Sequence, residues 1–78
     1  MIEQIKNGES QLDFPKQIVD ETDPANVYIG VTMGLNASSD AKWMIKLINT
    51  TGSTTTISYA DGERSFNKIW DNRLLYTY

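Results

Sequence analysis

Apolar and polar residues alternate with a period of two in the C-terminal two thirds of this 78-residue chain. The first such run comprises Val27, Ile29, Val31 and Met33, and this spacing is typical of a strand with one buried face. After a polar loop at 34–40, residues 42–48 are apolar at odd and even positions alike. Strands that are apolar on both faces are typical of sheet interiors. The second run therefore predicts a central strand, or one that contacts a second subunit.

Two turn signals divide the pattern that follows. Residues 49–53 predict the first turn, and residues 54–60, rich in β-branched side chains, predict a strand. We expect Ile57 and Tyr59 to face inward from this strand. Asp61-Gly62 is a dipeptide typical of tight hairpin turns and predicts that the strand ends in a hairpin.

The C-terminal part of the chain mixes two periods. Phe66, Ile69 and Trp70 have helical spacing, and Ser65 precedes them as a suitable N-cap, so a single helical turn is predicted over these residues. Alternation returns in residues 74–78 and predicts a closing strand. The residues expected on one face of that strand are Leu74, Tyr76 and Tyr78.

The N-terminal third has a different composition. Apolar residues are sparse and irregularly spaced in residues 1–25, and Pro15 and Pro24 interrupt them. Residues 1–24 carry six acids and two lysines. We therefore predict an acidic N-terminal arm at 1–25 that orders against a partner, followed by a small β module at 26–78.

Together these patterns predict a mainly β protein. The two architectures that fit are a small antiparallel sheet and an SH3-like barrel, each with four to five strands and one short helical turn. An extended N-terminal arm precedes either one.

The amino-acid composition excludes several kinds of binding site and catalytic site. The chain has no cysteine and no histidine, which excludes disulfides, zinc fingers and the commonest catalytic bases and nucleophiles. Paired carboxylates can hydrolyse glycosides, but a sheet of this size has little room for a substrate cleft. We predict no enzymatic activity, no catalytic residue, no cofactor and no metal. The carboxylates of the β module considered for catalysis are Asp40, Asp61, Glu63 and Asp71.

Membrane association is not expected either. No apolar run approaches the about 20 residues that a membrane helix needs. The N-terminal sequence lacks the charged and then apolar layout of a signal peptide, so we expect synthesis in the cytoplasm.

Two binding functions remain open. The Y-A-D-G sequence resembles strand–turn segments of Tudor and SH3-like peptide-binding modules, in which aromatic side chains can cage a methylated lysine. The candidates here are Trp43, Tyr59, Phe66 and Trp70. A small domain needs such side chains for its core, since each buries about 150–250 Å², and we expect at least three of the four in the core.

Nucleic-acid binding is the other. The basic residues that could form a stripe are Lys42, Lys46, Arg64, Lys68 and Arg73. The net charge of −3 argues against this function.

Assembly is the function that the sequence favours. A core of this size supplies only about 3–5 kcal/mol without help, and the chain has a two-faced apolar strand and a separable arm. We predict a subunit that binds copies of itself and other proteins, without a small-molecule substrate. The residues predicted to contact partners are Ile2, Ile5, Leu12, Phe14, Ile18, Met33, Leu35, Met44, Tyr76 and Tyr78.

Three spaced patterns also carry a family resemblance. They read W-x-I-x-x-I from Trp43, I-x-Y-A-D-G from Ile57 and F-x-x-I-W-D-x-R from Phe66, with Tyr76 and Tyr78 closing the chain. This combination resembles a family of small virion proteins encoded by tailed bacteriophages. The resemblance covers residues 27–78 and leaves out the acidic arm. One departure lies at Met33 and Leu35, where the family has small or polar residues.

The resemblance implies a non-enzymatic structural or adaptor subunit of a phage particle. Such a subunit would be made in the host cytoplasm and located in the virion, at the capsid, the neck or the tail. Its partners would be copies of itself and other virion proteins.

Overall fold

A computed structural model describes residues 15–78, which form one antiparallel sheet with a short 3₁₀ helix packed on one side. The predicted mainly β fold is confirmed. The strands are β1 (Pro15–Asp23), β2 (Asn26–Met33), β3 (Ala41–Thr51), β4 (Thr54–Tyr59) and β5 (Lys68–Ile69). A 3₁₀ turn spans Ala60–Gly62, and the C-terminal 3₁₀ helix spans Trp70–Leu75.

The strands form an open meander. Of the two predicted architectures, the chain therefore adopts the antiparallel sheet and not the barrel. Its order is β1-β2-β3-β4, with β3 in the centre as its two-sided apolar pattern predicts. Trp43 of β3 pairs with Thr32 of β2 on one side and with Lys68 of β5 on the other. The strands β4 and β5 therefore lie along the same edge of β3 and form one edge strand, interrupted by residues 60–67.

The sheet begins within the segment that was predicted to be a separate arm. Pro15–Asp23 pairs with β2 from Pro15↔Met33 to Asp23↔Asn26. The Asp23 carboxylate closes this hairpin by accepting the Ala25 N–H and the Asn26 side-chain amide, each at 3.0 Å. The sheet thus includes Pro15–Asp23 in addition to strands from the predicted module at 26–78. The predicted contact residues Ile2, Ile5, Leu12 and Phe14 lie outside the described residues.

The C-terminal third differs most from the predicted elements. Asp61 and Gly62 have the positive φ angles of a tight turn, 55° and 71°. The chain after them pairs with β3 and not with β4, so the predicted hairpin is wrong. The helical turn begins at Trp70 rather than at Ser65, and a 3₁₀ helix and coil replace the predicted strand at 74–78.

The register assigns side chains to two faces, because paired residues lie on the same side of a sheet. We call one the covered face. It carries Ile18, Tyr28, Gly30, Thr32, Trp43, Ile45 and Leu47. We call the other the open face. It carries Val19, Val27, Ile29, Val31, Met33, Met44, Lys46, Ile48, Ile57 and Tyr59.

The core lies between the covered face and the C-terminal segment. Trp43, Ile45, Ala60 and Trp70 are buried there. The two tryptophan rings are 6.1 Å apart between centroids, and the Trp43 indole N–H donates to the Ala37 carbonyl at 2.8 Å. This cluster confirms Trp43 and Trp70 as core residues.

Three other side chains that were predicted to be buried are not in the core. Phe66 is 44% exposed, and Tyr59 is half-buried on the open face. Two of the four candidate aromatics are therefore buried, not three. Ile57, predicted to face inward, lies on the open face and is 55% exposed.

Candidate protein-binding face

The open face is a continuous apolar surface across four strands. Val31 pairs with Met44, Val27 pairs with Ile48, and Ile48 pairs in turn with Ile57. The side chains in the middle of the face are half-buried, while those at the margins are more exposed. The exposed fractions are 46% for Val19, 48% for Met33 and 55% for Ile57.

No helix or further sheet of residues 15–78 lies over this face. Strand spacing of about 4.8 Å and a rise of about 3.3 Å per residue give it a size of about 20 Å by about 20 Å, on the order of 400 Å². Patches of roughly 300–600 Å² are the largest that monomeric proteins usually expose, and such patches are often functional.

Lys46 lies in the middle of the open face. Its neighbours across the strands are Ile29 and Tyr59, and the ion pairs formed among residues 15–78 do not include it. At the margin, the Arg64 guanidinium lies 5.8 Å from the centroid of the Tyr59 ring. The face is thus apolar with a positive charge near its centre, which suits an apolar partner that carries an acidic group.

The covered face is closed by the 3₁₀ helix through Arg73. Its Nε donates to Asp20 Oδ2 at 2.9 Å, and its Nη1 donates to the Trp70 carbonyl at 3.2 Å. The guanidinium also lies 4.6 Å from the centroid of the Trp70 ring. Hydrogen bonds from Thr22 and then from Arg73 lower the pKa of Asp20 to about 2. Arg73 therefore serves the fold and is not free to bind a phosphate.

The chain end adds a second closing contact. The Tyr78 hydroxyl donates to the Arg73 carbonyl at 2.7 Å, and its ring packs edge-on against Tyr28 at 5.5 Å between centroids. Burial raises the pKa of Tyr78 well above its ordinary value, and charge on Tyr28 and Tyr76 adds to the effect.

Lys68 is buried beside the same segment. Its Nζ donates to Glu63 Oε1 at 2.6 Å and to Asn67 Oδ1 at 2.7 Å, and the hydrogen bond and charge of Lys68 lower the pKa of Glu63. The Tyr76 hydroxyl accepts the Ile69 N–H at 2.8 Å. Lys68 thus anchors the interrupted edge strand.

The predicted basic stripe is divided by this geometry. Lys42 and Lys46 project to the open face, whereas Lys68 and Arg73 lie on the covered face and are engaged there. The predicted aromatic cage is also divided, since two of its members are in the core and the others are on the open face and in the 60–67 segment.

Three of the four carboxylates considered for catalysis have separate structural partners. Asp40 accepts the Ala37 N–H at 2.8 Å, Asp61 accepts the Thr77 N–H at 3.3 Å, and Glu63 pairs with Lys68. Within the part of the chain that the structure describes, no group of three or more acidic, histidine or cysteine side chains could hold a metal ion.

A pocket of about 370 Å³ lies between the β1–β2 hairpin and the 3₁₀ helix. Its charged residues already have partners, because Asp20 pairs with Arg73 and Asp23 accepts hydrogen bonds from Ala25 and Asn26. The pocket therefore offers a ligand few free polar groups. Among residues 15–78, no helix is long and apolar enough to cross a membrane.

The structure separates the predicted partner-contact residues into two groups. Met33 and Met44 lie on the open face, and Leu35 is 77% exposed in the 34–40 loop. Ile18, Tyr76 and Tyr78 pack against the covered core. Sequence reasoning did not select the centre of the open face, at Val27, Ile29, Val31 and Ile48. The available signals were the apolar alternation of β2 and the two-sided apolar pattern of β3.

Comparison with family models, with curated proteins and with solved structures finds no match for this chain. The fold and the open face therefore carry the functional argument, together with the sequence resemblance described above.

Proposed function

We propose that this protein is a non-enzymatic subunit of a larger assembly, and that it binds partner proteins through the open face. The observation that carries the proposal is the contrast between the two faces of one sheet. The covered face has Trp70, Tyr76 and Tyr78 of the C-terminal segment packed on it, whereas the open face carries many apolar side chains and has no such layer within residues 15–78. Burial of apolar surface gives roughly 25 cal/mol per Å², so covering about 400 Å² supplies on the order of 10 kcal/mol before the costs of association.

The setting that we propose is a bacteriophage particle, at its capsid, neck or tail. The resemblance of residues 27–78 to small virion proteins of tailed phages supports this setting. The partners there are copies of the same chain and other virion proteins, and the action of the subunit is packing rather than chemistry.

Sedimentation of the pure full-length chain tests the proposal. We expect a mass larger than one chain. Val31→Thr combined with Ile57→Thr should shift the protein toward the monomer, because two polar hydroxyls enter the apolar face while β-branching is kept. The matched control is Leu75→Thr, since Leu75 is 79% exposed on the helix outside the open face. A monomeric wild-type chain would contradict the proposal.

A further inference from the structure

The open face has a suitable occupant in the sequence that precedes the sheet. We propose that the open face of one copy binds residues 1–14 of a neighbouring copy. This inference rests on the proposed assembly function and names the segment that occupies its interface.

Chemical complementarity is the first argument. Residues 1–14 carry three acids and one lysine. They also contain the apolar residues Ile2, Ile5, Leu12 and Phe14. An apolar segment with excess negative charge matches an apolar face with Lys46 near its centre.

The same charge disfavours direct pairing of two open faces. Such a contact would place Lys46 of both copies in one apolar interface, whereas Glu21, which alternation from Val19 assigns to the open face, lies at the edge two strands away from Lys46. Burying an ammonium group without a partner is costly. The acidic segment removes that cost, since it supplies carboxylates together with its apolar side chains.

The length of residues 1–14 also suits the open face of a neighbouring copy. Fourteen residues in extended conformation span about 46 Å at roughly 3.3 Å per residue. The open face is about 20 Å across on the strand spacing given above. The segment is therefore long enough to cross a neighbouring face completely.

The place where residues 1–14 join the sheet also favours contact with a neighbouring copy. The segment joins the sheet at Pro15, which pairs with Met33 at the end of edge strand β1. The junction with the described sheet therefore lies at its outer edge, where a neighbouring copy can approach.

Disulfide trapping tests the exchange directly, because the chain has no cysteine of its own. A full-length chain with Leu12→Cys is mixed with a differently tagged full-length chain with Met44→Cys, and the mixture is oxidised. We expect a disulfide between the two tags. The matched control pairs Leu12→Cys with Leu74→Cys, whose site is 67% exposed on the 3₁₀ helix, outside the open face. Its yield should be on the order of tenfold lower, since disulfides require Cα atoms within about 7 Å.

Two results of this experiment would overturn the inference. One is equal yield with Met44→Cys and Leu74→Cys, which would mean random collision. The other is a chain carrying both Leu12→Cys and Met44→Cys that closes its disulfide within itself, which would mean that the segment covers its own sheet.

A second measurement separates this inference from the proposed function. Leu12→Ser combined with Phe14→Ser should lower association as strongly as Val31→Thr combined with Ile57→Thr. If only the open-face pair lowers it, the assembly function stands and the exchange is wrong. If neither pair changes the sedimentation of an associated protein, both ideas are wrong.

Changing the charge of Lys46 tests the role of the acidic residues separately from apolar packing. Lys46→Glu should weaken association on the order of tenfold through repulsion of the acidic segment. Lys46→Gln should weaken it less. Equal association of the two variants would contradict the role of the acids.

Discussion

At the scale of single residues, Gly30 and Trp70 lie close together in the core. A Cβ atom at position 30 would stand 2.5 Å from Trp70 Cε3 and 3.1 Å from Ile18 Cγ2. The absence of a side chain at Gly30 thus lets the indole lie directly on the sheet, and both residues depend on the same space.

We predict that Gly30→Ala lowers the free energy of unfolding by about 1–3 kcal/mol, because the added methyl group overpacks this contact. Urea denaturation measures the change. In a Trp70→Phe background the cost should shrink, since the smaller ring leaves room for the methyl group. An equal cost in both backgrounds would show that the clash with Trp70 is not the cause.

Trp70 also packs against Trp43 and lies under the Arg73 guanidinium. We predict that Trp70→Ala costs about 3–5 kcal/mol and unfolds most of the protein, as expected for a large core aromatic. Thermal melting followed by circular dichroism is the measurement. Phe66→Ala is the control and should cost less, since Phe66 is 44% exposed. A melt that barely moves for Trp70→Ala would remove this residue from the core.

The hydrogen bonds that Asp20 accepts from Thr22 and then from Arg73 make the free energy of unfolding depend on pH in the acid range. Folding lowers the pKa of Asp20 from 3.8 to about 2. The contribution of this carboxylate is therefore complete above pH 3.8 and is lost as the pH falls toward 2. We predict that Asp20→Asn flattens the melting temperature between pH 4 and pH 2 relative to the wild type. Parallel curves for the two proteins would contradict the assignment.

At the scale of elements, the interrupted edge strand organises the covered face. The chain leaves the edge after β4, turns at Asp61-Gly62 and rejoins β3 as β5. At the turn, the Asp61 N–H donates to the Thr77 carbonyl at 2.7 Å, and the Asp61 carboxylate accepts the Thr77 N–H. The segment at 60–67 thus holds the C-terminal residues against the sheet through Asp61.

The backbone conformation at Asp61 limits which residue types this position accepts. Its φ of 55° is tolerated by asparagine but strained for β-branched residues. We predict that Asp61→Asn leaves the free energy of unfolding nearly unchanged, whereas Asp61→Val lowers it by about 1–3 kcal/mol. Chemical denaturation measures both, and similar values for the two variants would show that backbone conformation is not limiting.

At the scale of the whole molecule, the sheet has one closed side and one open side. The association proposed for the open face would stabilise the folded chain by mass action. We therefore predict that the melting temperature of the wild type rises with protein concentration. The Val31→Thr and Ile57→Thr pair should keep the β signal in circular dichroism but lose most of this dependence. A wild-type melt that is independent of concentration would contradict association in solution.

Alternation in the sequence predicted β2, β3 and β4, because a period of two is a local property of a pleated strand. It did not reveal β1, whose side chains are mostly exposed at the edge of the sheet and show little alternation. It also misplaced the helical turn, since Phe66 and Trp70 have helical spacing in a segment that is partly strand.

The amino-acid sequence was sufficient to predict a mainly β protein and a strand at 42–48 with two apolar faces. The position of this strand inside the sheet, and which of its faces is covered, follow from the tertiary structure. The physical reason is that this choice depends on contacts distant along the chain, such as Arg73 with Asp20 and Asp61 with Thr77. Those contacts pack Tyr76 and Tyr78 against the core and leave the other face of β2 and β3 without a layer from residues 15–78.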